Sequence, residues 1–189
     1  MNEATQVLRK EHDAILRMLD ATEQVTRSLA GGARIPAHIL SNTIEFFRLF
    51  ADRCHHGKEE ELLFPALEKK GMPRSGGPIG VMLMEHDSGR ALIAEMAEAA
   101  KAYESGDKEA GRKWANAATN YARLLRDHIA KENNILFVMA ERLLTPTEQE
   151  ELAVGFDAIE VEKMGEGTHE RLHRMMDGLL AEVTTFSKT

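Results

Sequence analysis

Apolar side chains recur at three- and four-residue spacing along most of this chain. Leu8, Ile15, Leu16 and Leu19 form one such stripe with His12 on it, and Leu124, Leu125 and Ile129 form another with His128 and Glu132. The periodic segments are rich in Ala, Leu, Glu, Lys and Met and poor in β-branched residues, which favours helix over strand. Glycine and proline clusters at 30–36, 71–78 and 105–107 punctuate them and read as loops. The pattern predicts four long helices near 3–30, 37–70, 79–104 and 108–143, with Pro36 and Pro78 suited to first turns. Short connections between long helices make neighbours antiparallel, so the expected fold is all-α, an up-down-up-down four-helix bundle. Thr145-Pro146-Thr147-Glu148 has the form of a capping box with proline at the first helical position. A segment to about Lys163, a break at Gly165-Glu166-Gly167 and a restart at Thr168 then give a C-terminal helical extension. Leu172, Met175, Met176, Leu179 and Leu180 form its apolar face. The expected division is a bundle over 1–143 with helices of 144–189 packed on it, since so short a tail cannot bury a core of its own.

Composition narrows the function classes. A net charge of −7 disfavours nucleic acid as a partner, because phosphates need a basic face. The single cysteine, Cys54, rules out an internal disulfide framework and fits a reducing cytoplasm. No apolar run of signal-peptide or membrane-spanning type stands out, so the expectation is a soluble cytoplasmic protein with no membrane partner.

The chemistry lies in an internal repeat. Lys10-Glu11-His12-Asp13 recurs as Met84-Glu85-His86-Asp87, an offset of 74 residues. His55-His56-Gly57-Lys58-Glu59 with Leu62-Leu63-Phe64 recurs, 73 residues on, as His128-Ile129-Ala130-Lys131-Glu132 with Ile135-Leu136-Phe137. Residues four apart share a helix face, so each His-x-x-x-Glu can present an imidazole and a carboxylate to the bundle interior. One such pair is commonly a solvated surface pair, whereas two in matched register with two further histidines point to a two-metal site. Imidazole and carboxylate donors without thiolates suit iron or manganese. His56 and Glu60 are also four apart, but the repeat aligns His55 with His128 and Glu59 with Glu132, which makes His55 and Glu59 the expected pair. His56 is then expected behind the ligands or at the surface, with direct ligation as the alternative.

These motifs resemble the hemerythrin family, specifically the bacterial hemerythrin-like domains with the His-His-Glu cation-binding signature. The stretch Cys54 to Pro65 carries the strongest match, and the resemblance covers at least 1–143. It implies metal ligation by His12, His55, Glu59, His86, His128 and Glu132, and two iron ions in an oxo- or hydroxo-bridged di-iron centre. It further implies that the centre binds, senses or reacts with O2, nitric oxide or peroxide, through oxidase-, peroxidase- or NO-related chemistry. The alternative is an iron-responsive, storing or donating module for a protein partner, without catalysis. Oxygen-carrying members place a further histidine one turn after the third-helix histidine, where this chain has Arg90. That departure predicts an open, reactive centre with Arg90 free to attract anions.

Other residues carry weaker expectations. Asp13 and Asp87 could orient neighbouring imidazoles or lie at the surface. Tyr121 and the methionines Met18, Met82, Met84 and Met96 are expected in the core, and Cys54 as a small buried hydrophobe. His169 and His173 form a four-residue-spaced pair expected at the surface, with metal binding as the alternative; His38 carries no signal.

Overall fold

A computed structural model of the chain describes residues 3–186; residues 1–2 and 187–189 of the two expected units lie outside it. Helix α1 is Ala4–Ala30. Helix α2 begins as Ala37–Phe46, passes through π-helical Phe47–His56 and Glu59–Leu63, and ends as Phe64–Lys69. Helix α3 is Pro78–Glu104. Helix α4 is Ala110–Lys131, continued by π-helical Glu132–Leu136 and by Phe137–Leu143. These are the four helices that the periodicity predicts, and no strand occurs among the described residues. Pro78 opens α3 as expected, whereas Pro36 stands at the N-cap, one residue before α2.

The extension forms α5, Pro146–Met164, and α6, Thr168–Phe186. The capping box is present: the Glu148 backbone N–H donates to the Thr145 hydroxyl, and the Glu148 carboxylate accepts from the Thr145 N–H at 2.8 Å. Thr145→Ala is expected to cost about 1 kcal/mol, read as a lower melting temperature.

Helix α4 packs along both α1 and α3, and α2 packs against α3. The extension lies on one side only: α5 contacts α1 and the π-helical part of α2, and α6 contacts α1 and the start of α2. Two apolar cores result. One gathers Met18, Phe46, Phe47, Phe50, Met96, Trp114 and Tyr121, and α6 adds Leu172 and Met176. The other gathers Leu8, Phe64, Leu67, Met82 and Phe137, and α5 adds Phe156. In each of the four bundle helices the candidate ligands fall between these two cores, so a polar layer is sealed at both ends by hydrocarbon.

Candidate metal centre

The structure brings all six predicted residues together in that layer. His12, His55, Glu59, His86, His128 and Glu132 are buried, and their donor atoms form two overlapping groups. One atom each from His12, His55, Glu59 and Glu132 lie within 4.8 Å of one another, as do atoms from His56, Glu59, His86 and His128. The two carboxylates span the groups. Glu132 places Oε2 3.1 Å from His12 Nε2 and Oε1 3.1 Å from His128 Nε2. Glu59 places Oε1 3.7 Å from His55 Nε2 and Oε2 3.5 Å from His86 Nε2.

The seventh member, His56, is where sequence reasoning falls short. It is 4% exposed, stacks on His86 with ring centroids 3.8 Å apart, and directs its ring into the cluster. In an α-helix adjacent residues diverge by about 100°, which would turn His56 away if His55 points inward. Here both histidines end a π-helical segment, whose i→i+5 bonding puts more residues in each turn and narrows that divergence. A second and a third π segment begin at Glu59 and Glu132 themselves. Burial, followed by the charges of His86, His128 and His55, holds His56 well below the usual imidazole range, so it presents a neutral ring.

Four of the five imidazoles are fixed from behind at Nδ1, leaving Nε2 to face inward. Glu11 accepts from His55 at 2.8 Å and Glu85 from His128 at 3.0 Å. Asn133 Oδ1 lies 3.0 Å from His12 Nδ1, and Glu60 Oε1 lies 2.7 Å from His86 Nδ1. Asp52 stands 3.5 Å from His56 Nδ1, an ion-pair distance without hydrogen-bond alignment. Such anchoring sets the tautomer and aim of metal-binding histidines. The repeat extends to these partners: Glu11 matches Glu85, and Glu60 matches Asn133. Lys58 pairs with Glu11 and Lys131 with Glu85, each in a close contact. The signal was in the sequence as a glutamate directly before His12 and before His86. Asp13 and Asp87 are exposed and do not take this role.

Two more expectations are corrected. Arg90 is not free for anions, since it donates to Asp52 at 2.8 Å, Glu60 at 2.6 Å and Asp87 at 3.0 Å. Met84 is 62% exposed, while Met18, Met82 and Met96 are buried as expected. Cys54 is buried, and burial, with Glu11 adding to it, pushes its thiol up to about 12, so it stays protonated at neutral pH. Tyr121 is buried against Phe47, with its hydroxyl unpartnered. His169 and His173 pack on Phe50, and His38 pairs with Glu182.

The residues fit a metal. Nε2 of His12, His55 and His56 and all four carboxylate oxygens of Glu59 and Glu132 are buried without a hydrogen-bond partner. Several lie at ion-pair distance from one another, and together they converge in the two groups of donor atoms. A buried unsatisfied polar atom costs about 1–3 kcal/mol, so a cluster this large is explained by a cation that accepts those lone pairs.

A helical bundle with a buried layer of histidine and glutamate donors is a cation-binding scaffold. The hemerythrin HHE cation-binding domain matches residues 3–140, and the chain belongs to that family. Uncharacterized protein Rv1995 of Mycobacterium tuberculosis is 26% identical over 163 residues, covering 86% of this chain and 63% of the relative. The iron-sulfur cluster repair protein YtfE of Salmonella typhimurium is 38% identical over 90 residues, 46% of this chain and 40% of the relative. YtfE of Escherichia coli O9:H4 is 35% identical over 89 residues, with the same coverage of 46% and 40%. The chain thus spans less than two thirds of the length of these relatives. Among the described residues no helix is long and apolar enough to cross a membrane.

Proposed function

We propose that the chain holds two iron ions and uses them to bind, sense or react with O2, nitric oxide or peroxide. The observation that carries this reading is the set of buried, unpartnered Nε2 and carboxylate atoms directed at two shared centres. His12 and His55 would hold one iron, His56, His86 and His128 the other, and Glu59 and Glu132 would bridge them. Iron in such a donor set supplies one-electron redox chemistry and affinity for small diatomic or peroxidic ligands. His56 supplies the fifth imidazole that the Arg90 position lacks, so the two positions are unequal: the His12–His55 side has one protein donor fewer. An exogenous ligand would bind at that iron, so the free coordination position expected from Arg90 moves to the other half of the site.

The test is to load the full chain anaerobically with ferrous iron, count iron per chain, and record absorption spectra after O2, nitric oxide or peroxide. Two irons per chain and a spectral response to at least one reagent are expected; absence of bound iron overturns the reading. His56→Ala is expected to weaken binding of one iron by at least about 100-fold, since outer partners of ligands alone cost about 10–100-fold. An unchanged iron titration in that variant would return His56 to a packing role.

The relatives named for iron-sulfur cluster repair favour a second reading, in which the same site stores or donates iron to a partner. Transfer of iron from the loaded chain to an apo iron-sulfur protein, faster than from free ferrous iron, would support it.

A further inference from the structure

The two halves of the metal layer share a repeated support, but only one half is covered by the extension. On the open side, Lys131 clamps Glu85 behind His128 and is 36% exposed, so water solvates its charge. On the covered side, Lys58 clamps Glu11 behind His55 and is only 2% exposed. There α5 replaces the water: Glu160 accepts from Lys58 Nζ at 3.2 Å. His169 Nδ1, from α6, lies 3.7 Å from the other Glu160 oxygen. Glu11, Glu160 and His169 gather closely enough to suggest a third cation position. The Lys58 ammonium already bonds both carboxylates, so the cation there is the protein's own.

We propose that Glu160 is a positioning residue that acts through Lys58 and Glu11 on the His55 imidazole, so that the C-terminal extension tunes one of the two metal positions and not the other. This rests on the di-iron reading for its consequence but not for its geometry. Lys58 has one positive charge to share. With Glu160 present it divides its N–H donors between two carboxylates, and Glu11 keeps more negative charge. Glu11 then pulls harder on the His55 Nδ1–H, and the ring becomes a more electron-rich donor at Nε2. A richer donor favours the more highly charged, oxidised metal at the His12–His55 position. Among the described residues His128 has no counterpart to Glu160, because the extension packs mainly on the α1–α2 side. Glu160 lies beyond residue 140, where the match to the family domain ends.

The test uses the full chain with Glu160→Gln, which keeps the shape and removes the charge, and Glu160→Asp, which restores it. In metal-free protein labelled with 15N at histidine, the His55 Nδ1–H resonance is expected to move in E160Q, towards a weaker hydrogen bond. The His128 Nδ1–H should stay in place, and E160D should lie close to the parent. In iron-loaded protein, a redox titration should show the reduced-to-oxidised ratio at one iron rising about threefold to tenfold in E160Q. That is less than the roughly 10–100-fold typical of a direct outer partner. A His55 resonance that does not move, or that moves together with His128, overturns the proposal. Parent protein that binds no iron would sink the di-iron reading alone, and the imidazole resonances would still decide the role of Glu160.

Discussion

Replacing either Glu59 or Glu132 with alanine is expected to strip both irons from the protein, not one. Each carboxylate turns one oxygen to the His12–His55 side and the other to the His86–His128 side, at 3.1 Å from both imidazoles for Glu132. Loss of either side chain therefore removes a donor from both positions at once. In the proposed di-iron site a terminal ligand such as His12 or His56 would serve a single position, and its loss should leave the other iron bound. The contrast separates bridging from terminal roles without a spectrum. Glu132→Gln is the control for packing, because it keeps the volume between the two apolar cores while losing the charge. Iron per chain after gel filtration, with far-ultraviolet circular dichroism of the same samples, is the measurement. Retention of two irons in Glu59→Ala or Glu132→Ala, with helicity intact, would show that the carboxylates do not bridge.

The extent to which this site can be read from sequence depends on how local its causes are. The four helices, their glycine- and proline-rich connections and the Thr145 capping box follow from spacing and turn chemistry, which act within a few residues. His55, Glu59, His128 and Glu132 are legible because the repeat gives each an aligned copy. His56 has no copy, since Ile129 stands at its counterpart, and a uniform α-helix would point it elsewhere. Its inward aim depends on the π-helical run Phe47–His56, which the hydrophobic pattern does not reveal. The supports are hidden for another reason. Glu11 reaches His55 on α2, and Glu60 reaches His86 on α3, so each partnership crosses between helices far apart in sequence. Arg90 shows the same limit. Its charge looks available in sequence and is committed to Asp52, Glu60 and Asp87 in the fold.

Those crossings also predict that two lysines in equivalent positions of the repeat have very different weights. Lys58→Met should destabilise the protein by about 3–5 kcal/mol, because it leaves Glu11 and Glu160 facing each other with no buried cation between them. Lys131→Met should cost about 1 kcal/mol or less, since its ion pair with Glu85 is open to water. At about 2–4 °C per kcal/mol for a chain of this size, melting temperatures should fall by roughly 6–20 °C for Lys58→Met and by at most about 4 °C for Lys131→Met. The difference carries a pH signature. Burial would raise the Glu11 carboxyl, but His55 and then Lys58 outweigh it and hold Glu11 at about 2, below its ordinary 4.5. A carboxylate depressed in the folded state stabilises fully above its unfolded pKa, and that contribution is lost as pH falls through the folded one. The gap between Lys58→Met and the parent should therefore be widest above about pH 4.5 and close towards pH 2. Urea unfolding at neutral and acidic pH reads this directly. A gap that stays constant across that window, or equal effects at the two lysines, would mean that the covered clamp contributes no more than the open one.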